Sequence, residues 1–550
     1  MTEILAGLTQ SAPNGRARAA AFATAGDAQV ASTSLVGYRS TGRLLILGPP
    51  EAAFASADGL REQLDCVVVS EGQTDRKAPG VVAIDAPVIG LSGHLGAFDA
   101  KVETPRGEVS LSELFPDRKP GFDLVLDLHT PPLLAQEIPP VGYYAPDGDA
   151  DALQGALQEL PEMRGEFEKP KFFSYNPDIC AHGNSGLQGC TRCLEVCPTQ
   201  AITSLVDRIE VDPYLCQGAG SCATACPSGA ITYAYPNTDD LLSRIRGLLG
   251  AYREAGGERA SVLFHDAESG AQWVAQHAGA LPESMFPVEL AEIGSAGMEV
   301  WLSALAYGAR PVLLLRTAQT APSVVRELEA QIDYTRAILA GLGYPRDAVR
   351  LIDKFPETDD TAAESAPAAK FAALGSKREV FRFALQHLHQ YAPVPEEVVE
   401  LPSGAPFGEI EVDREACTLC MACVSVCPAS ALQDGTEHPL LSFKESKCVQ
   451  CGLCAQACPE QAIQLRPRMA YAAHLQPDGR VLNEDAPFDC IVCGKPFATQ
   501  KIMERIAGKL SGHWMFQNQQ ALDRLRMCED CRVHDIFAGS GGLEVYDKRP

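Results

Sequence analysis

The sequence predicts a multidomain chain of mixed α/β and α+β architecture, and three observations carry that prediction. Two segments, 43–70 and 258–353, alternate apolar strands with amphipathic helices, which is the pattern of α/β units. Two others, 171–236 and 409–468, hold most of the 20 cysteines in repeated units of short strand, loop, short helix and second strand. The last four cysteines form two C-x2-C pairs separated by a helical stretch. A chain of 550 residues has room for about three to five domains.

Composition narrows the function. Hydrophobic residues make up 46% of the chain, enough for ordinary cores. A net charge of −25 argues against nucleic acid or an anionic membrane as partner. It is compatible with a basic partner surface, and acidity is also a common solubility device. No apolar run approaches the roughly 18–20 residues that span a bilayer, so no membrane insertion is expected. The opening MTEILAGLTQSAPNGRARAAAFATAGD has no basic region followed by an apolar core, so the expected location is cytoplasmic. Thiols stay reduced there, and clustered cysteines read as metal ligands rather than disulfides.

Residues 1–40 read as a flexible N-terminus. Residues 41–165 read as an α/β domain: strand RLLILG, turn GPPEAAF, helix ASADGLREQL, strand DCVVVS, and later FDLVLDL. Cys66 stands alone in a strand and reads as a small core hydrophobe. The turn lacks G-x-G-x-x-G, so the backbone has no glycine-lined approach to a pyrophosphate, and flavin or NAD is not expected.

The cysteine-rich segments rest on one spacing, C-x2-C-x2-C-x3-C-P. Three thiolates at steps of three wrap one iron–sulfur cubane, and the fourth reaches the neighbouring cubane. The proline lacks an N–H and discourages helix before it, which ends the segment. In 171–236 the spacing is altered. Cys190, Cys193, Cys197 and Pro198 match the last three cysteines and the proline, but Leu187 stands at the first position. Cys180 would replace it by looping over AHGNSGLQG. The second half, CQGAGSCATACP, supplies Cys216, Cys222 and Cys226, with Ala219 in the slot of the second cysteine. Crossing gives Cys180, Cys190, Cys193 and Cys226 to one cluster, and Cys197, Cys216 and Cys222 to another. Three thiolates suit a [3Fe–4S] cluster, or a [4Fe–4S] cluster whose fourth iron holds water or another ligand; the remaining reading is loss of that cluster. His182 reads either as a substitute ligand near Cys180 or as a solvated loop histidine.

Residues 258–355 read as a second α/β domain, with strands SVLFHD and PVLLLRT and helices MEVWLSALAYG and PSVVRELEAQIDYTRAILAGL. His265 and His277 read as structural, and no cysteine lies between Cys226 and Cys417. Residues 356–408 read as a linker rich in alanine, acid and proline, followed by the amphipathic helix SKREVFRFALQHLHQY. In 409–468 the spacing is unbroken twice, CTLCMACVSVCP and CVQCGLCAQACP. Crossing assigns Cys417, Cys420, Cys423 and Cys458 to one [4Fe–4S] cluster, and Cys448, Cys451, Cys454 and Cys427 to another. The repeats CPTQAIT, CPSGAIT, CPASALQ and CPEQAIQ mark four copies of one unit. The expected cofactors are three [4Fe–4S] clusters and one that is [3Fe–4S] or a fourth [4Fe–4S]. In 485–540, Cys490, Cys493, Cys528 and Cys531 read as a tetrahedral four-thiolate site. Structural Zn2+ is the favoured occupant; a rubredoxin-like iron or a further cluster is the alternative.

These residues carry family likenesses. Segments 171–232 and 409–465 resemble bacterial dicluster ferredoxin domains, the first as a seven-cysteine variant. Residues 41–165 resemble a degenerate Rossmann-like domain, and 485–540 a zinc-ribbon-like element. Residues 258–355 resemble the delta-subunit domain of methyl-viologen-reducing hydrogenases and heterodisulfide reductases, through SVLFHDAESGAQWV and VELAEIGSAGMEVWLSALAYGARPVLLLR. That family binds a [2Fe–2S] cluster through cysteines absent here, which implies a docking or spacing element. The whole arrangement is similar to bacterial ferredoxin-domain proteins found beside formate dehydrogenases. The resemblance implies single-electron transfer between cytoplasmic redox partner proteins, among them a formate dehydrogenase or another molybdenum or tungsten oxidoreductase. A stand-alone enzyme is not expected. The competing readings are a flavin- or NAD-linked oxidoreductase subunit and a maturation or scaffold protein.

Overall fold

The computed structural model describes residues 4, 7–8, 10–25, 34–72, 79–115, 121–355, 366–435, 438–475, 479–510, 512–516 and 518–539. Strands Arg43–Leu47, Asp65–Ser70, Val82–Asp85, Leu124–Asp127 and Tyr143–Tyr144 form one parallel sheet. Its spatial order runs 82–85, 65–70, 43–47, 124–127, 143–144. That is the order of a doubly wound dinucleotide-binding sheet. The central strands are apolar throughout because both faces are covered. Leu44, Ile46 and Cys66 pack on helix Pro50–Leu60, while Leu45, Leu47 and Val67 pack on Phe98, Ala100 and Val102 of an antiparallel sheet. In such sheets a ligand sits where the order reverses, here between 43–47 and 124–127. There the turn runs Gly48–Pro49–Pro50, and two prolines remove N–H groups at the head of the helix. Opposite, the buried Asp127 carboxylate accepts from Tyr143 Oη at 2.6 Å and Leu133 N at 2.7 Å. Asp127 thus ties the end of its strand to the loop that follows it and to Tyr143.

The described part of the N-terminal stretch contains a packed helix and a paired strand. Helix Pro13–Ala25 packs on helix Thr238–Glu254, with Ala17 and Ala21 in the core of the middle domain. The buried Arg18 guanidinium donates to Pro282 O at 2.8 Å and Met285 O at 2.9 Å. Strand Leu35–Ser40 pairs antiparallel with Gly165–Pro170. Apart from Phe22 the apolar residues of that helix are alanines, so it carries little periodic signal.

The middle domain is a parallel sheet in the order 285–290, 261–266, 312–315, 349–352. Helices Met298–Ala306, Pro322–Gly341 and Lys377–Gln390 bury its core around Trp301, Leu328 and Leu385. His265 is fully buried, its Nδ1 2.9 Å from Asp266 O, and His277 stacks on Trp273. Within the expected linker, 356–365 lie outside the described residues. The following segment is docked: Ala369 N donates to Ala306 O at 2.8 Å, and a Ser376–Glu379 capping box opens the helix behind it. Among the described residues, no helix is long and apolar enough to cross a membrane.

Burial pushes the Glu292 carboxyl up to about 7, helped by Asp266 and Glu268. A carboxyl raised in the fold contributes stability that is fully present below its unfolded value and is lost as pH rises through its folded value. The parent should therefore lose thermal stability between pH 5 and 7.5, and Glu292→Gln should flatten that loss, as measured by melting curves across the range.

Candidate metal centres

The cysteine-rich segments close by exchanging strands between their halves. In the second, Gly408–Val412 pairs with Ile463–Ala470, and Leu432–Asp434 pairs with Leu440–Phe443. In the first, Phe173–Tyr175 pairs with Ile231–Tyr233, and Ile202–Ser204 with Ile209–Val211. This brings the two cysteine loops of each segment face to face, with helix Ala422–Ser425 against Leu453–Ala457 and Arg192–Glu195 against Ser221–Ala225.

In the second segment, Cys423 is surrounded by Cys417, Cys420 and Cys458, and the four line one cavity. Cys454 is surrounded by Cys448, Cys451 and Cys427. Burial pushes the Cys423 thiol up to about 12, and the three neighbouring thiols add to it. Four such thiols ionise together only when a metal neutralises them, so metal binding and folding are coupled. Backbone N–H groups of Ala431 and Ala462 donate to Cys427 Sγ and Cys458 Sγ at 3.3 Å, in the manner of ligands prepared to carry charge.

In the first segment, Cys193 lies among Cys226, Cys190 and Cys180, while Cys222 lies nearest Cys216 and Cys197. Cys180 arrives there because residues 183–188 are extruded as a hairpin, Gly183–Asn184 against Leu187–Gln188. Gly189 N donates to His182 O and Cys190 N to Ala181 O, which closes the hairpin at its base. His182 fits neither of its expected roles. It is 1% exposed, with Nδ1 2.8 Å from Cys190 O and Nε2 2.7 Å from Ser204 Oγ. Both ring nitrogens are engaged, and the ring pins the hairpin to its domain.

Ala219 sits in a loop whose backbone is otherwise unchanged. Gly218 and Gly220 have φ of 82° and 79°, matching the positive φ of Leu419 and Met421 and of Gln450 and Gly452 in the regular loops. The residue types differ but the path is kept, so a thiol is lost and not a loop. The slot is also covered. Ala219 is buried, Thr224 Oγ1 donates to Gly294 O at 2.6 Å, and a Cβ on Gly294 would come within 2.3 Å of Ala219 O.

The C-terminal cysteines meet on a smaller scale. The Sγ atoms of Cys490, Cys493, Cys528 and Cys531 all lie within 4.8 Å of one another, and Cys493 and Cys528 are 3.7 Å apart. A tetrahedral ion with bonds of about 2.3 Å to sulfur sets its ligands about 3.8 Å apart. The spacing fits one ion, whereas a cubane spreads its thiolates more widely. Burial raises the Cys490 thiol, but the N–H groups of Cys493, Cys528 and Val492 outweigh it and bring it down to about 6. The element rests on the second segment through Thr499 Oγ1 to Thr418 O at 3.2 Å and an Arg505–Glu460 ion pair at 2.6 Å.

Two basic residues beside these loops carry no signal in the cysteine spacing. Lys377 Nζ donates to Ala223 O at 2.7 Å and Thr224 O at 2.8 Å in the first segment. The next residue, Arg378, donates to Cys448 O at 2.5 Å and Ser446 O at 3.2 Å in the second, and lies over the Phe407 ring at 4.6 Å. Burial lowers the Arg378 guanidinium to about 10, against the pull of Cys448.

Residues 188–230 and 416–463 each match the 4Fe-4S dicluster domain family. Over 88 residues, 15% of this chain, the sequence is 43% identical to the isethionate sulfite-lyase activating enzyme of Oleidesulfovibrio alaskensis, covering 27% of that protein. Over 56 residues, 10% of this chain, it is 39% identical to hydrogenase-4 component A of Escherichia coli, covering 25% of it. The chain thus spans about a quarter of the length of these curated relatives. It carries two 4Fe-4S dicluster ferredoxin domains within a mixed α/β fold.

Arg378→Met should remove charge-assisted bonds at Cys448 and lower holoprotein stability by about 2–4 kcal/mol. Arg378→Lys should recover less than half of that, since an ammonium lacks the planar fork. Urea titrations followed by visible cluster absorbance measure both.

Proposed function

We propose that the chain is an iron–sulfur electron-transfer protein or subunit that passes single electrons between redox partner proteins. The observation that carries this reading is the crossed gathering of thiols in both ferredoxin domains, each set drawn from the two halves of its domain. The ligand sets we assign are Cys180, Cys190, Cys193 and Cys226; Cys197, Cys216 and Cys222; Cys417, Cys420, Cys423 and Cys458; and Cys427, Cys448, Cys451 and Cys454. Each bound cluster supplies a one-electron redox centre. The chain's own residues set its potential. N–H groups aimed at sulfur stabilise the charged ligands, Arg378 lies beside Cys448, and Lys169 Nζ donates to Cys216 O at 2.6 Å. Positive charge this close favours the reduced, more negative cluster.

For the three-thiolate set we favour [3Fe–4S]. The middle domain covers the Ala219 slot, which leaves an exogenous ligand on a fourth iron poorly served. For the C-terminal site we favour zinc, because its four sulfurs fit a single tetrahedral ion. A molybdenum or tungsten oxidoreductase, such as a formate dehydrogenase, is the partner class proposed from the resemblance of the whole arrangement. The match to hydrogenase-4 component A supports electron transfer more broadly.

Anaerobically purified protein should contain three [4Fe–4S] clusters, one [3Fe–4S] cluster and about one zinc per chain. Iron and sulfide sufficient for fewer than two cubanes would overturn the reading. The oxidised protein should show the paramagnetic signal of [3Fe–4S], and Ala219→Cys should diminish it, because the loop already holds the right backbone. Chelation of the zinc should leave the visible cluster absorbance intact.

A further inference from the structure

We infer that the two ferredoxin domains are docked end to end, so that the four clusters form one continuous path in the order Cys216, Cys193, Cys451, Cys420, each cluster named here by one of its ligands. This rests on the cluster reading proposed above and adds the route between the domains.

The seam is built from residues that flank cluster ligands on both sides. Gly189 immediately precedes Cys190, and Leu453 lies between Cys451 and Cys454. A Cβ on Gly189 would come within 2.6 Å of Ala181 O in its own domain and 2.8 Å of Leu453 Cγ in the other, so the two domains touch at a position with no room for a side chain. Helix Leu453–Ala457 lies against strand Leu187–Gln188, and Gln456 Nε2 donates to Gln188 O at 2.7 Å. Leu453 is fully buried, so the contact is dry.

The register of this seam is held from outside. Lys377 and Arg378 are consecutive on one helix, and they grip the loop carbonyls of the first and second domain respectively. Tyr471, just after the second domain's last strand, donates to Ile338 O at 2.6 Å on helix Pro322–Gly341. The same helix packs on the cluster helix Ser221–Ala225 of the first domain. The middle domain thus clamps both ferredoxin domains. One end of the path reaches the surface at the exposed Cys420. The other, at Cys216, lies behind Lys169 and Tyr214. Each step moves one electron from a reduced cluster to its oxidised neighbour, with no bond formed or broken; redox partner proteins supply the first electron and take the last.

The test is EPR of the full-length protein reduced with dithionite. With Cys417→Ala and Cys420→Ala together, only Cys423 and Cys458 remain for the neighbouring cluster, too few to hold one, so the Cys451 cluster stands alone in its domain and its signal should remain broadened by the cluster across the seam. Adding Cys180→Ala and Cys190→Ala, which leaves only Cys193 and Cys226 at the cluster across the seam, should sharpen that signal to the line of an isolated cluster. Gln456→Glu keeps every ligand and sets a carboxylate against Gln188 O in place of the amide donor; it should retain the parent's iron and sulfide content while the cross-domain broadening falls. An unchanged line in both the protein that also carries Cys180→Ala and Cys190→Ala and the Gln456→Glu protein overturns the path. Failure of the cluster reading itself would appear separately, as missing iron and sulfide in the parent.

Discussion

Each ferredoxin domain has little to bury except its cysteines. The core of the first consists of Phe173, Ile202, Ile209, Ala230 and Ile231 around Cys193 and Cys226. In the second, Ile410, Leu432, Phe443 and Ile463 surround Cys423. Cores this small do not hold a domain together alone. Thiols are packed so that burial and mutual repulsion oppose their ionisation, and iron–thiolate bonding relieves both at once. The strand exchange, the left-handed turns at Leu419 and Gln450, and the N–H groups aimed at sulfur all follow from wrapping a short chain around a charged object.

The rest of the molecule organises these domains in space. The middle domain, for which the resemblance implies a docking or spacing role, touches both ferredoxin domains. Its turn at Gly294 closes over Ala219, and its helices hold the carbonyls beside cluster ligands through Lys377 and Arg378. A parallel sheet sealed by long helices makes a stiff frame, and a stiff frame keeps distances between redox centres constant.

The cysteine spacing made the two dicluster ferredoxin domains legible, because iron geometry leaves few ways to arrange four thiolates on a short chain. The parallel α/β units were legible as well, since RLLILG, DCVVVS and SVLFHD are apolar on both faces. Other features were not. Helix Pro13–Ala25 packs through alanines, which leave almost no periodic trace. His182 looked like a ligand or a solvent-facing residue, yet it bonds to a carbonyl and a hydroxyl that only the hairpin brings together. Lys377 and Arg378 appear in the sequence as the polar start of an amphipathic helix; their partners lie about 70 to 150 residues away. The seam at Gly189 depends on packing between domains, and local patterns carry no record of that.

Redox-titrated EPR on the anaerobically purified full-length protein tests the central claim most directly. The account predicts reversible one-electron reduction of several distinct clusters, with signals of [4Fe–4S] centres appearing on reduction and a [3Fe–4S] signal vanishing. Iron that is bound but shows no reversible one-electron chemistry would contradict it, and would leave the clusters as structural staples rather than carriers.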